Sequence, residues 1–179
     1  MYTLFIDTHQ NTNLALFKDN KLLSHLNSNE LKQSTIIMPL LKKLMEESNL
    51  NLEQINEIIV VNGPGSFTGV RLGVTIAKTI AYLLNVPTKC LNSLELKAMM
   101  DDYNNIYYGV KDSKGFYLGI NSNREITIEY ISKSEIKEEN IITDVTYNYD
   151  TIVKYFDALK TINPHKINPL YIKKIEAQK

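Results

Sequence analysis

Between Glu57 and Leu84 the chain reads as a buried strand, a tight glycine loop and a long apolar helix, and this stretch limits the folds open to the rest. Ile58-Ile59-Val60-Val61 is a β-branched run without polar alternation, as expected of a strand covered on both faces. The loop Asn62-Gly63-Pro64-Gly65-Ser66-Phe67-Thr68-Gly69 follows. Pro64 fixes its own φ, Gly63 and Gly65 admit backbone angles closed to other residues, and Ser66 or Thr68 can accept from the free N–H groups of the next helix. That helix, expected from Gly69 to Leu84, offers polar atoms only at Arg71, Thr75, Lys78, Thr79 and Tyr82, a composition expected of a helix buried on more than one side. Gly69, Gly73, Ala77 and Ala81 recur at i,i+4 and make a ridge of small side chains that another backbone can approach. Two arrangements are open: the ridge receives a second helix, from this chain or another, or the helix is sandwiched inside its own domain.

At 179 residues the chain can form one large domain or two small lobes with a real core. No segment is expected to reach the ~18 to 20 apolar residues of a membrane span, and the amino terminus opens into a strand rather than a basic leader, which suggests a cytoplasmic protein. The lone cysteine, Cys90, excludes an internal disulfide and reads as a buried structural thiol. Twenty Lys and Arg balance 20 Asp and Glu, so the strongly basic footprint of a nucleic-acid binder is absent. Arg71 is one of two arginines, with Arg124, in a chain that otherwise uses lysine, which draws attention to its planar fork.

Three meandering strands open the chain, over Tyr2 to Ile6, Leu14 to Phe17 and Leu22 to Leu26, with a hairpin turn at Lys18-Asp19-Asn20-Lys21. A helix from Gln33 or Ser34 to about Ser48 carries a wide apolar stripe including Ile37, Leu41 and Leu44. After the central helix, Thr88 to Leu91 reads as a short strand and Asn92 or Ser93 caps a helix through Met100. From Asn105 strands return, at Ile106 to Val110, Phe116 to Ile120 and Glu125 to Ile131. Ser134 to Glu139 reads as a helical turn, Ile141 to Val145 as a strand, Thr151 to Leu159 as a helix, and the tail from Asn163 has weak order of its own. The order predicts two related α/β lobes, residues 1–102 and a shortened 103–179. It resembles the actin-like (ASKHA, ribonuclease H-like) superfamily, whose members pair two such lobes around a nucleotide cleft.

The glycine loop running into a helix is an anion-site candidate, but no Lys-Ser or Lys-Thr pair follows its last glycine, as a P-loop requires. A nucleophile elbow fails as well, because Pro64 and Thr68 stand where Ser66 would need glycines. Asp7 and Thr8, at the end of the first strand, are the cofactor-binding candidates, Asp7 standing where an actin-like ATPase places a carboxylate near metal-bound phosphates. The turn His9-Gln10-Asn11-Thr12 has no glycine, which hinders close approach of backbone to phosphate. His9, His25 and His165 are too scattered for a sequence-local metal site, and neither catalytic residues nor metal ligands are assigned.

Asn62 to Gly73, containing the signature loop Gly63, Pro64, Gly65, Ser66, Phe67, Thr68 and Gly69, resembles the signature of the bacterial TsaB (YeaZ) family. Ile6-Asp7-Thr8, Asp112-Ser113-Lys114-Gly115 and Pro169-Leu170-Tyr171-Ile172-Lys173 are similar to further family positions. The resemblance implies an actin-like subunit without its own catalytic metal site, no intrinsic cofactor, and ATP or ADP at most at the interface with a partner. That partner is TsaD, the metal-bearing paralogue. With it and TsaE, a small P-loop ATPase, the complex forms N6-threonylcarbamoyladenosine at position 37 of tRNAs reading ANN codons. Homodimers through the same face are an alternative pairing. The implied interface lies on the first two helices, at Ile37, Leu41, Leu44, Gly69, Arg71, Gly73, Ala77, Ile80 and Ala81. Lys114 replaces a usual arginine and Gln33 a common histidine, which bears on partner affinity. The rival readings are a small actin-like ATPase or phosphotransferase working through Asp7 and, behind it, an M22-type metallopeptidase homologue.

Overall fold

A computed structural model describes residues 1–134 and 138–172. The opening meander comprises β1 (Tyr2–Asp7), β2 (Thr12–Lys18) and β3 (Lys21–Ser28), antiparallel throughout, with Tyr2 opposite Lys18 and Asp7 opposite Asn13. Asp19 and Asn20 take positive φ, 50° and 58°, at the two-residue β2–β3 turn, as such hairpins require. Then come α1 (Gln33–Glu47), β4 (Glu57–Val61), α2 (Phe67–Leu84), β5 (Thr88–Leu91) and α3 (Ser93–Met100). β4 lies parallel to both β1 and β5. A separate antiparallel sheet holds β6 (Tyr107–Lys111), β7 (Gly115–Ser122) and β8 (Glu125–Ser132). The chain then returns through α4 (Tyr149–Ile152), a 3-10 segment Val153–Ala158 and β9 (Thr161–Ile162), completing a first sheet of order β3-β2-β1-β4-β5-β9.

Strand alternation divides the first sheet into two cores. Leu4, Ile6, Leu14, Leu16, Ile58 and Val60 point to one face, beneath α1 and α2. Phe5, Ala15, Phe17, Ile59 and Val61 point to the other, beneath α3 and residues 149–156. There Phe156 meets Phe17 edge-on at 5.0 Å and stacks on Phe5 at 6.4 Å, an arrangement worth about 0.5–1.5 kcal/mol per aromatic pair beyond area burial. Cys90 packs against the first core, and burial pushes its thiol up to about 12, as the structural-thiol reading requires.

Helix α2 starts two residues before the expected Gly69, because Ser66 serves as its N-cap and its Oγ accepts from the Gly69 N–H at 3.2 Å. Over 18 residues its mean hydropathy is 1.3, so by length and composition it could cross a membrane, contrary to the expectation that no segment approaches that limit. In the fold its inner face lies on the sheet. Gly69, Gly73, Ala77, Ile80 and Ala81 are buried while Phe67, Tyr82 and Leu83 are 57%, 67% and 71% exposed. The helix is therefore covered on one side, not all round.

The small-residue ridge is internal packing. A Cβ on Gly69 would strike the Thr8 carbonyl and the Gln33 side chain, and one on Gly73 would strike the Thr8 hydroxyl, which donates to Gly69 O at 2.7 Å. The β1–β2 turn of the same chain approaches Gly69 and Gly73, and Ala77, Ile80 and Ala81 lie in the core on the sheet, so these five residues do not form an open partner surface. Ile37, Leu41 and Leu44 of α1 are likewise at most 3% exposed, in the same core.

Three later elements differ from expectation. Residues 141–145 form no strand, only a bridge between Tyr108 and Ile142, because Ile141 turns its side chain into a small core with Phe116 and Leu118. The expected helix over Thr151 to Leu159 is one α turn followed by 3-10 geometry, which carries Phe156 onto the sheet. The helical turn expected from Ser134 to Glu139 falls partly on residues 135–137, and Lys173 with the rest of the tail to Lys179, outside the described residues. The preceding tail is well anchored: Lys78 of α2 donates to the carbonyls of His165 and Ile167, at 3.3 and 3.0 Å.

Gly69→Ala tests this packing. Overpacking against a backbone carbonyl should lower unfolding free energy by about 1–3 kcal/mol in urea denaturation of the isolated chain.

Candidate functional site

β1 ends at Asp7, and the i,i+2 relation along an extended chain puts His9 on the same side. The His9 Nδ1 lies 2.8 and 2.9 Å from the two Asp7 carboxylate oxygens, and the His9 backbone N–H donates to Oδ1 at 2.9 Å. Tyr147, remote in sequence, donates its hydroxyl to Oδ2 and accepts from Asn13 Nδ2 at 3.1 Å. Burial alone would raise the Asp7 pKa, but His9 and Tyr147 together hold it below its ordinary 3.8. The same carboxylate and burial push the Tyr147 phenol well above its usual value.

The cofactor candidates are thus both committed inside the chain: Asp7 to His9 and Tyr147, Thr8 to Gly69 O. The turn they occupy is held from outside by Gln33, which is buried and donates to the carbonyls of Thr8 and Gln10 at 3.3 and 3.0 Å. Beside this cluster Lys97, 3% exposed on α3, donates to Thr143 O at 2.6 Å. Burial lowers its pKa, opposed by the charges of Asp7 and Asp144. Lys97 and Tyr147 were not anticipated from sequence. Only the Asp7-Thr8-His9 spacing carried a local signal.

The signature loop is a hub of backbone bonds. Gly63 takes φ 97°, closed to other residues, and its peptide bond to Pro64 is cis. Ser66 N–H donates to His9 O at 2.6 Å, Ser93 Oγ to Pro64 O at 2.6 Å, and Leu170 N–H to Asn62 O at 2.8 Å. The loop thereby ties together the β1–β2 turn, the start of α3 and the carboxy-terminal strap. At its exposed end, Arg71 lays its guanidinium 3.7 Å from the Phe67 ring centroid and donates from Nε to the Tyr171 hydroxyl at 2.5 Å. Of the implied interface residues, Arg71 alone is at the surface.

A partly exposed stripe of α2 consists instead of half-buried Leu72 and Ile76 with exposed Thr79 and Leu83, which share one face at i, i+4, i+7 and i+11. Met38 and Pro39 lie exposed on neighbouring α1, Met38 at 52%.

A mixed first sheet with the order given above, joined to a second, smaller sheet, defines an actin-like α/β protein. YeaZ from Pseudomonas aeruginosa superposes with a TM-score of 0.78 at 14% identity, covering 95% of this chain and all of that one. The match to component A of (R)-2-hydroxyglutaryl-CoA dehydratase from Acidaminococcus fermentans has a TM-score of 0.50 at 13% identity, over 74% of this chain and 48% of that one. In sequence, residues 30–108 match the family model of TsaD, tRNA N6-adenosine threonylcarbamoyltransferase. The tRNA threonylcarbamoyladenosine biosynthesis protein TsaB of Bacillus subtilis is 35% identical over 100 residues, 55% of this chain and 44% of that protein. Its namesake in Escherichia coli is 33% identical over 88 residues, 49% and 38% of the two chains. In sequence this chain is similar to the TsaB (YeaZ) proteins and in fold to YeaZ, and its match spans less than half the length of these curated relatives.

The Asp7 cluster predicts an acid-sensitive fold. With a folded pKa below 3.8, ionised Asp7 contributes stability that is fully present above that value and is lost as pH falls through the folded pKa. Urea unfolding from pH 7 down to pH 2 should show the acid loss below about pH 4 in the wild type and a flatter acid limb in Asp7→Asn, whose stability at pH 7 should be lower by about 3 kcal/mol.

Proposed function

We propose that this chain is the noncatalytic partner subunit of a TsaD-type paralogue in forming N6-threonylcarbamoyladenosine at position 37 of tRNAs reading ANN codons. The observation that carries this reading is the 35% identity to TsaB over 100 residues, beside a family-model match over residues 30–108 that takes in both packing helices and the signature loop. The chain is also 32% identical over 111 residues to the tRNA N6-adenosine threonylcarbamoyltransferase of Malacoplasma penetrans, which supports a pairing of related subunits. We place the contact on the outward stripe of α2, with Leu72, Ile76 and Leu83, and on the adjoining Met38 of α1. Leu83 and Met38 are exposed apolar side chains, and Leu72 and Ile76 are covered by the chain's own core only in part.

In this reading residues 1–102 form the lobe that meets the partner and 103–179 a shortened second lobe. The partner supplies the metal and the chemistry, a TsaE-type P-loop ATPase joins the pair, and tRNA is engaged through the whole complex. ATP or ADP sits at the shared interface, because Asp7 and Thr8 are already bonded within the chain. The same commitment of Asp7 weighs against an autonomous ATPase. A homodimer through the same helices forms when the partner is missing, and the assembly works in the cytoplasm.

Leu83→Glu probes the contact without touching the core. At 71% exposure the change should alter stability by no more than about 0.5 kcal/mol. Co-purification with the TsaD-type paralogue should fall at least tenfold. Undiminished co-purification would place the contact elsewhere.

A further inference from the structure

A cavity of about 640 Å³ opens beside the β1–β2 turn, against α3 and the segment entering α4. Its wall contains two nitrogen groups with incomplete partners. Lys97 has three N–H donors and one hydrogen bond, to Thr143 O, and no ion pair among the described residues includes it. His9 is oriented by Asp7 through Nδ1, so that proton faces the carboxylate, while Nε2 is buried with no hydrogen-bond partner. A buried ammonium and a buried imidazole nitrogen in this state are costly unless a further group meets them.

The surrounding charges do not complete either one. Asp7 is spent on His9 and Tyr147, and Asp144 is exposed, its carboxylate accepting from Thr143 Oγ1 at 3.3 Å. The remaining wall is suited to a polar body. Asn27 and Gln10 offer amides, and the rings of His25 and Tyr149 lie 5.0 Å apart with a tilt of 36°. The volume falls within the range of small-molecule sites, about 300–1,000 Å³.

We propose that this cavity binds a small polar metabolite by a phosphate or carboxylate group, held by the Lys97 ammonium and by His9 Nε2. Lys97 supplies the charge complement. His9, its Nδ1 proton held by Asp7, takes up one proton from solvent at Nε2 as the ligand binds and donates it to one oxygen of the anionic group, and His25 with Tyr149 flanks the uncharged part of the molecule. Met100 and Tyr149 belong to the core on the sheet face away from α1 and α2, so occupancy does not compete with a partner on those helices and the proposal is independent of the assembly reading.

The test is NMR titration of the full chain, isotopically labelled at histidine side chains and backbone amides, with inorganic phosphate and separately with acetate, at ionic strength fixed by chloride. A saturable shift of the His9 ring resonances is expected. Saturation by phosphate identifies a phosphoryl ligand and saturation by acetate a carboxylate. Lys97→Met should weaken the response at least tenfold, and Lys160→Met, at an exposed site outside the cavity, should leave it unchanged. Linear, unsaturable shifts with both anions, or equal affinity in Lys97→Met, overturn the proposal. The wild-type amide map decides the matter even if Lys97→Met does not fold. Saturable shifts must fall on residues 9–13, 25–29, 97–100 and 144–149, and saturation confined to the α2 amino terminus would mean an adventitious anion there.

Discussion

The close approach of α2 to the β1–β2 turn is the contact on which the rest of this structure depends. It requires Gly69 and Gly73, since a single Cβ at either position occupies space held by Thr8. Once made, it fixes the rotation of α2 and so decides which side chains enter the core and which remain outside. Val70, Val74, Ala77 and Ile80 go to the sheet, Leu72 and Ile76 stay half-buried at its margin, and Leu83 is left facing outward. Gln33 reinforces the arrangement from α1 by bonding two carbonyls of the same turn. A glutamine at this position therefore serves the chain's own fold.

The same contact shapes the turn at the end of β1. Thr8 is turned toward α2 and Asp7 is enclosed by His9 and Tyr147, so both side chains are bonded within the chain. The signature loop has a comparable history in its bonds, to His9, Ser93 and Leu170, which make it a junction of three segments. Arg71, stacked on Phe67 and bonded to Tyr171, closes the junction at the surface.

The opening meander, the doubly covered strand at Ile58 to Val61 and the second meander were legible in the sequence, because each rests on local alternation or on turn residues such as Asp19 and Asn20. The small-residue ridge was also legible, but not what it meets. Periodicity states that a backbone can come close and does not say whose, and here the neighbour is Thr8, 61 residues before Gly69. The Asp7 cluster escaped for a similar reason. Tyr147 lies 140 residues from Asp7 and Lys97 is an ordinary lysine until burial isolates it. Residues 141–159 were misjudged because their apolar side chains are spaced to fill two existing cores, not to follow the period of one element.

The central claim is that the ridge of α2 faces inward and its Leu72, Ile76 and Leu83 stripe faces a partner. Methyl NMR of the chain, labelled at Ala, Ile, Leu and Val and mixed with the TsaD-type paralogue, measures both halves at once. The account predicts that Leu72, Ile76 and Leu83 methyl signals shift or broaden on mixing, while Ala77 and Ala81 keep their contacts to the sheet. Intermolecular contacts at Ala77 and Ala81, with the Leu83 methyls unmoved, would contradict it.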